Sequence, residues 1–197
     1  MSTTAIAPRR SAVLGDLAST SLAGSAALVT GGAALIGLLA QVVVKLPFTP
    51  VPVTGQTLGV LLVAAALGRR RGMASTGLYG LAGVAGVPWF AGGVGGWSAV
   101  SFGYVIGFVA AAAVVGGLAE RGWDRRPLRT LAAMAVADAA ILTCGTVWLA
   151  GVLDLGGRRA VELGVLPFLA GDAVKIGIAA ALLPGAWWLA GRVTRRG

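Results

Sequence analysis

The sequence contains no histidine and a single cysteine, Cys144, among its 197 residues. Histidine-based acid–base catalysis is therefore excluded, as are Cys/His metal sites and an internal disulfide. We interpret Cys144, which lies within an apolar run, as a small helix-packing residue. No GxxxxGK[ST] segment occurs in these residues, so the chain does not itself carry a nucleotide-hydrolysing P-loop, and we expect no metal or cofactor.

Charged residues are also scarce in this chain. They make up 12% of it, about half of the roughly 25% that a soluble domain usually carries. Hydrophobic residues make up 57%, and the mean hydropathy is +0.86. Because so little polar surface cannot cover a water-soluble globule of this length, the lipid bilayer is the expected solvent. The net charge of +9 does not indicate nucleic-acid binding, since the arginines form short clusters between apolar runs.

Six apolar runs divide the chain. They cover residues 22–46, 54–68, 72–87, 100–118, 131–153 and 165–189. A transmembrane helix needs roughly 20 mostly apolar residues, within a range of about 17–25. The second and third runs are short by this measure, so a single re-entrant pair is an alternative to two full spans there. The simpler count predicts an all-α membrane protein with six transmembrane helices.

The distribution of positive charge predicts the orientation. With the N-terminus inside, the arginine clusters within 9–10, 69–71, 121–129 and 192–196 place 12 cations in the cytoplasm and leave three outside. Such a bias is what the positive-inside rule describes, so both termini are expected in the cytoplasm. We therefore predict a cytoplasmic tail over 1–21, a six-helix substrate-binding domain over 22–191 and a basic cytoplasmic tail over 192–197. A twin-arginine export signal at 9–10 is the alternative, but no clean apolar core and cleavage site follow it.

Three charged residues lie inside the predicted spans, where charge is costly and therefore marks candidate functional positions. Asp172 and Lys175 are three residues apart in the last span, on one helix face and in its outward half. Two interpretations are open: a mutual ion pair that is tolerable in lipid, or a polar pocket in which Lys175 meets a ligand anion and Asp172 accepts ligand N–H groups. Asp138, nearer mid-membrane, is a candidate pocket residue, proton site or neutral carboxylic acid.

Two uncharged segments fall on the same outer side. The first is the proline-rich loop after the first span, which carries Thr54 and Gln56. The second is the glycine-rich segment 87–97, whose backbone could approach a ligand closely because glycine has no side chain. Its aromatic residues Trp89, Phe90 and Trp97 are candidates for stacking on an apolar ligand or for anchoring at the membrane interface.

Three motifs in fixed order resemble the biotin-specific S components of energy-coupling-factor (ECF) transporters. They are PVPVTGQT at 50–57, Leu78–Tyr79 leading to GVPWFAGGVGG at 86–96, and PFLAGDAVK at 167–175. The resemblance covers about residues 25–190 and implies a six-helix subunit that captures biotin from outside the cell. It also implies that the first loop acts as a lid over the pocket. The implied substrate-binding residues, together with the candidates above, are Thr54, Gln56, Tyr79, Trp89, Phe90, Gly92, Gly93, Gly95, Tyr104, Asp138, Asp172 and Lys175.

The resemblance further implies partners in the plasma membrane, which would hold this chain as a multi-pass protein. They are a membrane coupling subunit and two cytoplasmic ATPases, although some members of the family act without the ATPases. Other functions are also open at this stage. An S component for another vitamin, or an ion-coupled carrier with Asp138 or Asp172 as its proton site, would fit the same charges. A membrane enzyme is disfavoured because no nucleophile–base set is recognisable.

Overall fold

The computed structural model describes residues 12–96 and 100–193 of the chain. The predictions that rest on Arg9, Arg10, Trp97, Arg195 and Arg196 lie outside these residues. A 3₁₀ turn, Trp123–Arg125, precedes the fifth α-helix. The remaining elements are α1 (Leu14–Ala18), α2 (Leu22–Leu39), β1 (Val43–Val44), β2 (Val53–Thr54), α3 (Gln56–Val84), α4 (Phe102–Ala119), α5 (Pro127–Val152), α6 (Gly157–Gly164) and α7 (Leu166–Val193).

The first span ends earlier than the sequence predicts, and a small β-ribbon follows it. The Ser21 side chain caps the start of α2 by accepting the amide of Gly24 at 3.0 Å, but α2 ends at Leu39 rather than near residue 46. Strands β1 and β2 then pair antiparallel, with Val44 opposite Val53. The structure is mostly helical, as predicted, and this short ribbon is an addition that the prediction of an all-α fold did not include. Backbone pairing satisfies the polar groups of a segment in which three prolines prevent a helix.

Four helices, α2, α4, α5 and α7, are long and apolar enough to cross a membrane among the residues that the structure describes. The second and third predicted spans both lie in α3, which is broken at Gly68. That residue has φ +81° and ψ 179°, a conformation that glycine adopts without a steric penalty. The halves 56–67 and 69–84 are about 18 and 24 Å long, both below the roughly 30 Å of a bilayer core.

The break in α3 brings the arginine clusters of the described residues to one end of the molecule. The amide of Arg69, directly after Gly68, donates to a Glu120 carboxylate oxygen at the end of α4, at 3.0 Å. The guanidinium of Arg71 pairs with Asp16, which precedes α2, also at 3.0 Å. We call this the arginine end. The opposite end, formed by the β-ribbon, residues 85–96 and α6, is called the ribbon end, and the helical segments of α2–α5 and α7 run between the two.

Close backbone approach at glycine joins α4 to the break in α3. A Cβ atom added to Gly116 would lie 2.7 Å from the Arg69 Cα and N atoms, well inside contact distance. Only a residue without a side chain therefore fits where these two backbones cross. The next residue, Gly117, faces open space apart from the Arg69 side chain at 3.9 Å.

Gly116→Ala is expected to lower the free energy of unfolding by about 1–3 kcal/mol, because the new methyl group meets backbone atoms that cannot rotate away. Gly117→Ala is the matched control. It adds the same methyl group one residue along and should be neutral or slightly stabilising, since alanine is the better helix former. Thermal unfolding of the detergent-solubilised proteins measures both changes, and equal melting temperatures for the two variants would contradict the packing described here.

Candidate functional site

A cavity of about 330 Å³ opens at the ribbon end. Residues 50–54 of the ribbon segment, the start of α3, the glycine-rich segment, α4, α5 and α7 line it, so six parts of the chain converge there. Most of its wall is apolar, with a few polar groups, which is the usual character of a small-molecule site. Seven of the twelve predicted site residues line it: Thr54, Gln56, Phe90, Gly95, Tyr104, Asp172 and Lys175.

Asp172 and Lys175 form a buried ion pair in the wall of the cavity. The Lys175 ammonium donates to an Asp172 carboxylate oxygen at 2.8 Å, and their side chains are only 13% and 4% exposed, respectively. Their spacing of three residues on α7 places both on the same helix face. The two interpretations of the sequence thus coexist, because the pair neutralises itself and also borders the cavity. Such a pair presents one cationic and one anionic group to any ligand.

The Gln56 side chain is fixed in place by hydrogen bonds on both sides. The Thr54 hydroxyl donates to the Gln56 carbonyl oxygen at 2.8 Å. The Gln56 amide nitrogen donates to the Tyr79 hydroxyl. Tyr79 is completely buried and does not line the cavity, so it stands behind Gln56 as a positioning group.

The two aromatic residues of the glycine-rich segment have different positions. Phe90 lines the cavity and packs edge-on against Tyr79, with ring centroids 5.4 Å apart. Trp89 does not line it. Its indole N–H donates to the Tyr79 carbonyl at 3.0 Å, and its ring lies against Gly37 of α2. Trp89 therefore packs the glycine-rich segment against α2 and α3. This contact differs from the two roles that the sequence suggested for Trp89, which were stacking on an apolar ligand and anchoring at the membrane interface.

The glycines of the same segment also differ in whether they line the cavity. Gly92 and Gly93 both have φ +76° and form a tight turn in which the Phe90 amide bonds to the Val94 carbonyl at 2.8 Å. Neither lines the cavity, whereas Gly95 does. The turn needs glycine for its backbone conformation, and it places Phe90 against the cavity.

Tyr104 of α4 ties the cavity wall to the start of α7. Its hydroxyl donates to the Gly164 carbonyl at 2.8 Å, and its ring packs against Phe168 with centroids 5.6 Å apart. Gly145 of α5 lies directly against the ring, where a side chain would overlap it. The position of this ring thus depends on three different helices.

Asp138 lies behind the cavity wall rather than in it. It is 5% exposed, and one of its carboxylate oxygens has no hydrogen-bond partner among the described residues. Ile141 and Leu142, one helical turn further along α5, line the cavity directly. The Asp172–Lys175 pair is near enough to act electrostatically on Asp138.

Helix α6 borders the ribbon beside the mouth of the cavity. The Thr49 hydroxyl, in the loop between β1 and β2, donates to the Leu163 carbonyl of α6 at 2.8 Å. On the same helix, Glu162 pairs with Arg159 and Arg158, each at 3.1 Å, and these guanidinium groups hold the pKa of its carboxyl below the usual range. The Thr49–Leu163 hydrogen bond therefore connects the first loop to α6.

Several lining residues were missed from sequence. Phe168 precedes Asp172 by four residues, and Phe108 follows Tyr104 by four, so helical spacing from residues already singled out would have found both. Gln41 does not line the cavity, and its supporting contact carries no signal in the sequence. Its amide donates to the Trp89 and Phe90 carbonyls at 3.2 and 3.3 Å and thereby anchors the glycine-rich segment to the end of α2.

The chain is 36% identical over 154 residues to the biotin transporter BioY2 of Lactococcus lactis subsp. cremoris, covering 77% of this chain and 83% of the relative. It is 34% identical over 157 residues to the biotin transporter BioY of Rhizobium etli, covering 75% and 82%.

A solved structure has the same fold. It is the S-component for biotin from an ECF-type ABC transporter, which matches with a TM-score of 0.73 at 19% identity over 89% of this chain and 93% of that chain. The sequence pattern of the BioY family matches residues 10–192, nearly the whole chain. The protein therefore belongs to the BioY family.

Proposed function

We propose that this chain captures biotin and carries it across the cell membrane as the substrate-binding S component of an ECF-type transporter. The observation that carries the proposal is the buried Asp172–Lys175 pair, which borders a mostly apolar cavity in a chain of the BioY family. Relatives that share a third of its sequence over about three quarters of its length are biotin transporters.

The chemistry of the cavity complements that of biotin. Biotin has a carboxylate, a ureido group with two N–H donors and an apolar thioether ring. Lys175 supplies a cation for the carboxylate, and Asp172 supplies an acceptor for N–H groups. Thr54 and Gln56 add uncharged polar groups, while Phe90 belongs to the apolar wall.

The remaining predicted residues have supporting roles in this proposal. Tyr79 positions Gln56, Trp89 holds the glycine-rich segment against α2 and α3, and Gly92 and Gly93 shape the turn that presents Phe90. Tyr104 contributes its ring to the cavity, packs against Phe168 of α7 and holds the end of α6 through its hydrogen bond to the Gly164 carbonyl. Asp138 acts on the ligand through the charged pair.

In the membrane, each half of α3 is proposed to serve as one short span, which makes six spans with α2, α4, α5 and α7. Both termini then lie in the cytoplasm with the arginine end, and the cavity opens outward. Exposed arginines at one end of the helices support this orientation, because cytoplasmic loops carry an excess of positive charge. Residues 22–191 form the substrate-binding domain, and 1–21 and 192–197 are cytoplasmic tails.

The proposed partners are a membrane coupling subunit and two cytoplasmic ATPases. The solved structure of the same fold is named as part of an ECF-type ABC transporter, which supports this assembly. The sequence itself contains no P-loop, so ATP hydrolysis would come from those partners. Transport by this chain alone is distinguished from transport by the assembly through uptake measurements.

Uptake of labelled biotin into cells that lack their own biotin transporter tests the function. Cells expressing the chain together with an ECF module should accumulate label that unlabelled biotin, but no other vitamin, competes away. Cells expressing the chain alone report solitary activity. Competition by another vitamin at equal concentration, or uptake no higher than in cells with an empty vector, would reject biotin as the substrate.

A further inference from the structure

Asp138 lies in the interior without the full set of hydrogen-bond partners that a buried carboxylate normally has among the residues around it. Its side chain is almost fully buried in α5, and one carboxylate oxygen is unpaired among the residues that the structure describes. Buried carboxylates are normally paired or hydrogen-bonded, because removing an ionised group from water is costly. Asp138 is also one helical turn from Ile141 and Leu142, which line the cavity.

The charges around the cavity do not balance. With all groups ionised, Asp138, Asp172 and Lys175 together carry a net charge of minus one, and all three side chains are largely buried in the protein. An anionic ligand in the cavity would make the net charge minus two. Charges interact strongly at low dielectric, so such an excess is unfavourable unless a proton binds as well.

The other ionisable groups on helices packed against α5 have partners or lie elsewhere. On α7, Asp172 and Lys175 already pair with each other. Arg158, Arg159 and Glu162 of α6 form their own ion pairs near the mouth. The groups with hydrogen bonds to other parts of the chain are Tyr79 of α3, Tyr104 of α4, and Asp124 and Arg125 of the 3₁₀ turn. Among the described residues, Asp124 also has one oxygen without a donor, but its other oxygen accepts from Trp187, whereas no cation pairs with Asp138.

We propose that Asp138 determines the ligand charge that the cavity accepts, because binding of an anionic ligand is coupled to the uptake of one proton by the Asp138 carboxylate. The proton comes from the solvent and adds to a carboxylate oxygen, which leaves a neutral acid beside the ion pair. The net charge of the site is then the same before and after an anion binds. This inference rests on the proposed function, since biotin carries a carboxylate.

Calorimetric titration of the purified protein with biotin, in two buffers of different ionisation enthalpy, measures the protons taken up. We expect uptake that approaches one proton at its maximum between about pH 5 and 9. Over the same interval, the affinity for biotin should fall as the pH rises, by up to about tenfold per pH unit. The uncharged methyl ester of biotin should bind without proton uptake, because it adds no charge to the site.

Asp138→Asn is the informative variant, since asparagine resembles the protonated acid and cannot ionise. Its affinity for biotin should be independent of pH and close to that of the wild type at low pH. Asp154→Asn is the matched control. Asp154 is exposed just beyond the end of α5, and its positive φ of 51° is one that asparagine tolerates, so this variant should keep the wild-type pH dependence.

The outcomes separate the inference from the function on which it rests. Biotin binding without proton uptake at any pH in this range, or the same uptake in Asp138→Asn, overturns the role of Asp138 and leaves biotin capture intact. Equal uptake with the methyl ester overturns it as well, and this comparison needs only the wild-type protein. Failure of biotin to bind at all rejects the proposed function.

Discussion

Replacing Lys175 with methionine is expected to lower the affinity for biotin by about 30-fold to several thousandfold. Methionine keeps most of the length and apolar stem of lysine but removes the ammonium, which leaves Asp172 buried without its partner at 2.8 Å. Truncating one member of a buried, hydrogen-bonded charge pair costs about 2–5 kcal/mol, and each 1.4 kcal/mol is a factor of ten in affinity. Equilibrium binding of labelled biotin to the purified proteins measures the loss.

Lys45→Met provides the matched control, because Lys45 is the other of the two lysines in the chain and is exposed beside the β-ribbon. It should bind biotin as the wild type does. The methyl ester of biotin then identifies the contact, since Lys175→Met should weaken its binding less than that of biotin. Equal losses for the acid and the ester would argue against a Lys175–carboxylate contact. Wild-type affinity in Lys175→Met would show that the Asp172–Lys175 pair is not part of the biotin site.

Gly145→Ala is expected to destabilise the protein by about 2–4 kcal/mol and to weaken biotin binding at least tenfold. The added methyl group would overlap the ring of Tyr104, which packs against Phe168, so the ring would have to shift into the cavity that it lines. Overpacking of this kind typically costs about 1–3 kcal/mol, and loss of the hydrogen bond to the Gly164 carbonyl adds about 1 kcal/mol. Thermal unfolding and biotin titration measure the two effects separately.

Gly151→Ala is the control on the same helix. No atom outside the helix lies within 4 Å of a Cβ added there, so this variant should melt and bind biotin like the wild type or be slightly more stable. If Gly145→Ala behaved like Gly151→Ala, Tyr104 would not be held by α5 in the way described, and its place in the cavity wall would have to be revised.

The sequence was sufficient to predict the main helices and the residues at the charged centre of the site. The runs behind α4, α5 and α7 are long and uninterrupted, so their helices follow from local composition with small shifts at the ends. Asp172 and Lys175 were found because charge is rare in an apolar run, and their spacing alone predicted that they share a face. These properties belong to single segments and need no knowledge of packing.

Features that depend on packing between segments could not be predicted in this way. Trp89 and Phe90 are adjacent and chemically similar, yet only Phe90 lines the cavity, because the turn at Gly92 and Gly93 sets the direction of each side chain. Tyr79 lies behind Gln56 and not in the cavity wall for a similar reason, because the break at Gly68 sets which face of this half of α3 is turned toward the cavity. The β-ribbon was missed because its strands are only two residues long, too short for an alternating pattern to be recognised.

Equilibrium binding of radiolabelled biotin to the purified wild-type protein is the most direct test that the cavity beside Asp172 and Lys175 is a biotin site. Saturable binding of one biotin per chain at micromolar or lower concentration is predicted, with competition by unlabelled biotin. The same assay should show the loss in Lys175→Met and its absence in Lys45→Met. No binding by the wild type at micromolar concentration, or equal binding by all three proteins, would contradict the account.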